Sequence, residues 1–215
     1  MLFLPSVETS FINGDIPKDV ELGVFTHLDI ETGGLDSDTD GLWVVNIGYD
    51  PREDGTFQKA LVLRVVDNST CPPRLKKYLR DPEITKFIHN GMFDAPFIYK
   101  KWRVATLGVL CTKSLAQIVR KCTGNSYKRL TKKATSIDLL KGSTSVSEWS
   151  LPFSKWTSEM KSYCAYDVVF GFKNYKYLMN LATDEDKAVF ERLSRVWPDL
   201  VKLQDKLKLG DLQLV

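Results

Sequence analysis

The 215-residue chain has only four cysteines, Cys71, Cys111, Cys122 and Cys164. They are scattered and form no Cys-x-x-Cys pair, which argues against a zinc site and against a disulfide framework and favours a reducing compartment. No window approaches the ~20 apolar residues of a membrane span. The start, Met1 to Pro5, lacks the basic residues and the long apolar run of a signal peptide. No repeat or low-complexity segment is visible. With 30 Lys and Arg against 27 Asp and Glu, the net charge is only +3, which neither demands nor excludes a nucleic-acid partner. What the chain does have is an ordinary globular composition, 43% apolar and 27% charged, and a length suited to one good core with at most a small appendage.

The chain is organised around His27-Leu28-Asp29-Ile30-Glu31-Thr32-Gly33-Gly34-Leu35. It reads as a short buried strand, Val24 to Ile30, running into a glycine turn. Side chains alternate along a strand, so Asp29 and Glu31 point the same way, ~7 Å apart. Two carboxylates on one face of a core strand, with no Lys or Arg beside them, repel each other and lose hydration. A divalent cation relieves both penalties, because hard cations take carboxylate oxygens. The plain alternative is a strand that ends at Asp29, with the acids solvated at a loop mouth.

Further along, Leu42 to Gly48 and Ala60 to Val66 read as strands that complete a three-stranded meander. Residues 1–22 are a lead-in with room for an edge strand. Pro72 to Leu79 reads as a short helix, Lys86 to His89 as a buried strand, and Arg103 to Thr106 as a fifth strand. Thr112 to Cys122 has helical spacing. Thr157 is placed to cap a long helix running to about Leu181. A last helical segment, Asp184 to Leu209, is expected to be interrupted at Pro198 and ended by Gly210. Strands early and helices late suggest a mixed sheet with helices on its faces.

Two more carboxylates occur at places that matter. Asp94, in His89-Asn90-Gly91-Met92-Phe93-Asp94, follows a buried strand and precedes Ala-Pro, a good helix N-cap position. His89 reads equally as a core histidine, and Asn90 as a turn former before Gly91. Tyr163 and Asp167 are four apart on the late helix and share a face.

Taken together, Asp-x-Glu ending one strand, Asn-x-x-x-Asp ending another and Tyr-x-x-x-Asp on a late helix resemble the DEDD 3′→5′ exonucleases. The match is to the subgroup with tyrosine in the third motif, which includes ribonuclease D, the Werner-type exonucleases and the proofreading domains of family A DNA polymerases. The resemblance spans about Val24 to Leu181. It implies a ribonuclease H-like fold, a mixed five-stranded sheet flanked by helices, with an exonuclease domain over 1–182 and a helical extension over 183–215.

The resemblance also implies roles. Asp29, Glu31, Asp94 and Asp167 would bind two divalent cations, Mg²⁺ or Mn²⁺, and Tyr163 would orient the attacking water. Thr32, Leu35, His89 and Asn90 match places that touch the terminal nucleotide. Leu35 reads equally as a residue capping the core. Lys128, Arg129, Lys132 and Lys133 would track a single-stranded backbone, or form a solvated basic loop. Phe93 before Asp94 resembles the polymerase-linked proofreaders, whereas Trp149 and its neighbours resemble the ribonuclease D branch. The expected substrate is therefore a single-stranded DNA 3′ terminus, with RNA as the alternative, and a non-catalytic nucleic-acid-binding or polymerase-docking module as a reading of another class. The remaining expectations are a cytoplasmic monomer beside a separate polymerase, of the kind a phage encodes, or an excised domain.

Overall fold

The computed structural model describes residues 4–119, 124–139 and 146–207. Six strands form one sheet: β1 (Glu8–Asn13), β2 (Phe25–Thr32), β3 (Leu42–Pro51), β4 (Phe57–Arg64), β5 (Thr85–Ile88) and β6 (Val109–Cys111). Their order is β1-β4-β3-β2-β5-β6. The meander β2-β3-β4 is antiparallel, while β1 pairs β4, and β5 and β6 extend from β2, all in parallel. The sheet thus has six strands rather than five. The helices are α1 (Pro73–Arg80), α2 (Gly91–Trp102), α3 (Thr112–Ile118), α4 (Tyr127–Thr135), α5 (Ser158–Asp167), α6 (Gly171–Leu181) and α7 (Asp184–Leu207). None of the described helices is long and apolar enough to cross a membrane.

Period-two alternation sorts the sheet into two faces. Leu28, Ile30, Val45, Ile47, Leu61 and Leu63 join one core with Leu75 and Leu79 of α1, Ile98 of α2 and Trp197 of α7. Val44 and Val62 turn the other way and pack on Trp149, Trp156, Met160 and Cys164. Asp29 and Glu31 stand on that second face, beneath α5.

Several boundaries differ from expectation for identifiable reasons. Arg103 to Thr106 is not a strand: Arg103 closes α2 in the left-handed region at φ 54°, and Val104 and Thr106 are buried without pairing. The last strand begins beyond Gly108, whose carbonyl accepts from Lys86 N. Asp94 is not an N-cap, because α2 starts three residues earlier and Asn90 takes the cap position at φ 70°. Thr157 does cap α5, accepting from Met160 N at 3.2 Å.

The expected long third-motif helix is two helices, broken over Val168–Phe170. Tertiary bonds replace the helical ones there: Val169 O accepts from Phe57 N, and Phe170 N donates to Tyr127 Oη at 3.1 Å. Conversely, α7 runs on through Pro198, because Trp197 and Val201 anchor both sides of the proline in the core. Gly210, the expected end of α7, lies outside the described residues, as does Cys122, the expected end of α3.

Candidate active site

β2 is central in the sheet, so the acids on its α5-facing side lie over the middle of the molecule. Strand β2 supplies Asp29 and Glu31, the first turn of α2 supplies Asp94, and the last turn of α5 supplies Tyr163 and Asp167. Asp29, Glu31 and Asp167 each offer a carboxylate oxygen, all within 4.8 Å of one another. Asp94 is buried beside them, outside that triad, and its carboxylate accepts from the Ile30 backbone N–H.

Two glycines let α5 and α6 come this close. A Cβ at Gly48 would collide with the Val168 carbonyl, and a Cβ at Gly171 would lie 2.5 Å from Cγ of His27. Only glycine allows such approach of backbone to its neighbour. The chain just beyond Asp167 is thereby pressed onto β2 and β3, which carries Asp167 over Asp29.

The electrostatics are those of a site built for cations. Burial is the main cause that pushes Asp29 up to about 7, against a hydrogen bond from Asn46 Nδ2 at 3.2 Å. Burial, then the charges of Asp29, Asp167 and Asp94, push Glu31 well above the usual carboxylate range. Asp94 and Asp167 are raised by burial and then by Asp29. Among the described residues no salt bridge reaches any of the four, and Glu31 Oε1 is buried without a hydrogen-bond partner. A set of clustered oxygen donors without a salt-bridge partner among the described residues, with only the Lys113 charge acting on Asp94, fits hard divalent metals.

Tyr163 hydrogen-bonds Asp167, and its ring lies tilted against Trp149 with the centroids 5.8 Å apart. Burial and the surrounding carboxylates raise its phenol further above the usual range, so it stays protonated.

A cleft of about 930 Å³ opens over the acids. His89, Lys128, Arg129 and Lys132 line it; Thr32, Leu35, Asn90 and Lys133 do not. Thr32 instead closes its own turn, donating to Gly34 O at 2.6 Å. Leu35 is 81% exposed, so it caps no core. Asn90 accepts from Lys113 Nζ at 2.8 Å. His89 bonds Thr112 Oγ1 at 3.0 Å and the Asn125 carbonyl, and burial first, then His27 and Lys113, lower it to about 3, so it is neutral. Lys128 and Lys132 hold Asp138 at 3.1 and 2.7 Å.

Three residues at the site escaped the sequence reading. His27 is two before Asp29, and alternation alone would have placed it on the acids' face. Asn46 was visible as a lone amide in an apolar strand, directly opposite Asp29 in register. Tyr127, whose ring lies 5.5 Å from His27 and 5.4 Å from His89, gave no sequence signal.

The fold and the acidic cluster define a class: a ribonuclease H-like nuclease that works with divalent metal ions. A family model described as 3′-5′ exonuclease matches residues 21–182, and the chain belongs to that family, the DEDD exonucleases. Among solved structures, Brucella melitensis NrnC bound to pGG is 25% identical with a TM-score of 0.79, covering 93% of this chain and 94% of that one. Escherichia coli RNase D, an exoribonuclease involved in structured RNA processing, is 18% identical with a TM-score of 0.57, covering 89% of this chain and 46% of its own. The catalytic core of RRP6 from Trypanosoma brucei is 15% identical with a TM-score of 0.64, covering 81% and 46%. These last two show likeness of fold alone. No curated protein matches the sequence. Family membership makes the chain an enzyme, against the reading of a non-catalytic module.

Proposed function

We propose that this 3′-5′ exonuclease removes nucleoside 5′-monophosphates from the 3′ end of short single-stranded nucleic acid, RNA or DNA. The observation that carries the reading is the convergence of Asp29, Glu31 and Asp167 within 4.8 Å, with Asp94 beside them and no salt bridge to any of the four among the described residues.

Asp29, Glu31, Asp94 and Asp167 would hold two divalent ions, whose chemistry when bound would be to acidify water near neutral pH and to offset negative charge on the leaving 3′-oxygen. Tyr163, kept as a protonated phenol and anchored on Asp167, orients the attacking water rather than removing its proton. Lys128, Arg129 and Lys132 face the cleft and attract the phosphate backbone. An entering phosphate takes the place of Asp138 between the two lysines. Leu35, exposed on the loop after β2, is free to lie between the last bases.

Substrate choice is the finer part of the reading. The NrnC neighbour, of similar length, was solved with pGG, which supports short oligonucleotides. Phe93 directly before Asp94 supports the second reading, a DNA 3′ end handed over by a separate polymerase. The test uses 5′-labelled single-stranded DNA and RNA and a 5′-phosphorylated dinucleotide, each with Mg²⁺, Mn²⁺ or EDTA. A ladder that needs metal and is lost in Asp29→Asn supports the mechanism. Cleavage of RNA and dinucleotide alone, or of DNA alone, selects between the substrate readings. No shortening of any substrate with either metal overturns the proposal.

A further inference from the structure

Helix α7 carries an apolar stripe that stays partly exposed among the described residues. Val189, Val196 and Leu203 recur every seventh residue and are 38%, 48% and 45% exposed. Fourteen residues of helix place the outer two ~21 Å apart along the axis. Leu193 and Leu200 fall between them, three or four residues on, as in the seam of a coiled coil. One flank of the seam, Phe190, Trp197 and Gln204, is buried in the molecule. The other flank is Glu185, Arg192, Asp199 and Lys206, also every seventh residue and all exposed. Its charges alternate acid, base, acid, base.

We propose that α7 is a self-association surface whose occupant is a second copy of this chain, docked antiparallel about a two-fold axis at Val196. A two-fold contact sets one patch against itself, so the patch must be self-complementary. In an antiparallel pair centred on Val196, Val189 meets Leu203 of the other copy and Val196 meets its own mate. The exposed flank then meets itself. Glu185 falls opposite Lys206 and Arg192 opposite Asp199, and the symmetry repeats both pairs. Every charge on the flank then faces its opposite, with Asp199 shared between Arg192 of the mate and Lys202 of its own helix, 3.4 Å away. A parallel pair would instead set the charged flank of each copy against Phe190, Trp197 and Gln204 of the other, which are buried. The surface is modest beside a standard stable interface, so association depends on protein concentration and weakens with salt. This revises the sequence-level expectation of a monomer, and it does not depend on the exonuclease reading, because α7 supplies none of the four acids.

The experiment is sedimentation velocity of the full chain over a concentration series at low and high ionic strength. The expected result is a species of twice the chain mass that dissociates on dilution and in high salt. Arg192→Glu sets acid against Asp199 of the mate and should leave only monomer, with unchanged circular dichroism and unchanged nuclease activity per chain. The double variant Arg192→Glu with Asp199→Arg swaps the pair and should restore the dimer. A wild-type chain that stays monomeric throughout overturns the proposal. So does a dimer that survives both Arg192→Glu and Val196→Glu, or a double variant that stays monomeric.

Discussion

Replacing Glu31 with Gln should make the metal-free protein more stable while destroying its response to metal. Glu31 is pressed by three other carboxylates, and its Oε1 has no hydrogen-bond partner. The amide keeps the shape, removes the charge and adds two donors toward Asp29 and Asp167. The cost of holding an ionised carboxylate here can be read from Asp29, which burial raises. Moving a carboxyl from 3.8 to about 7 corresponds to about 4 kcal/mol against the ionised form. The neutral Gln escapes the burial cost of a charge and the repulsion from Asp29, Asp167 and Asp94, while desolvation of its own amide offsets part of that, so a gain of ~1–3 kcal/mol is expected at pH 8 in EDTA. For a chain of this size that is ~2–12 °C in melting temperature.

The sign with pH follows from the same raised acid. Its folded-state pKa lies above the unfolded one, so the folded chain binds more protons between them. Its stabilising contribution is complete below about pH 4 and is lost as pH rises through about 7. Wild-type stability in EDTA should therefore decline from pH 5 to pH 8, and Glu31→Gln should flatten the decline. Saturating Mg²⁺, at about a hundred times its dissociation constant, should add ~2.7 kcal/mol to the wild type and much less to the variant. Differential scanning calorimetry with EDTA and with Mg²⁺ makes both measurements. If Glu31→Gln destabilises the metal-free chain, or if Mg²⁺ raises both proteins equally, the acids are not held in mutual repulsion awaiting a cation.

The remaining predictions concern the parts that hold the site together. Tyr163→Phe should lower turnover by ~10²-fold or more while the Mg²⁺-induced rise in melting temperature survives; unchanged single-turnover rates would refute the orienting role. Gly171→Ala pushes a methyl into the His27 ring and should cost ~1–3 kcal/mol. His27→Ala in the same chain should recover part of that loss, seen as non-additive chemical denaturation. Tyr127→Phe removes the acceptor for Phe170 N–H and should cost ~1–3 kcal/mol for the orphaned donor, with a fall in activity because the α5–α6 break seats Asp167. Lys132→Ala should weaken oligonucleotide binding equally for all sequences and reduce its salt dependence, measured by fluorescence anisotropy.

The sequence by itself determined the residue types and the family resemblance they carry. Alternation along β2 was enough to set Asp29 and Glu31 on one face, whereas the approach of Asp94 and Asp167 to them was implied by the resemblance and is decided by tertiary structure. The meander β2-β3-β4 was legible because each strand is bounded by turn residues and pairs with its sequence neighbour. What the sequence could not show is whatever depends on contacts between distant segments. Helical spacing runs smoothly from Thr157 to Leu181, yet the chain breaks at Val168–Phe170. Gly48, Phe57, Tyr127 and the His27 ring against Gly171 take over there, and all but Gly171 are distant from the break in sequence. Arg103 to Thr106 has strand composition, but partners are assigned by the sheet, and β5 pairs instead with Val109–Cys111. Pro198 reads as a breaker until Trp197 and Val201 are seen buried on either side of it. Residue types and local period fix what each segment is able to do. Which ability is used is settled by long-range packing and hydrogen bonds, whose energies exceed the local preferences they override.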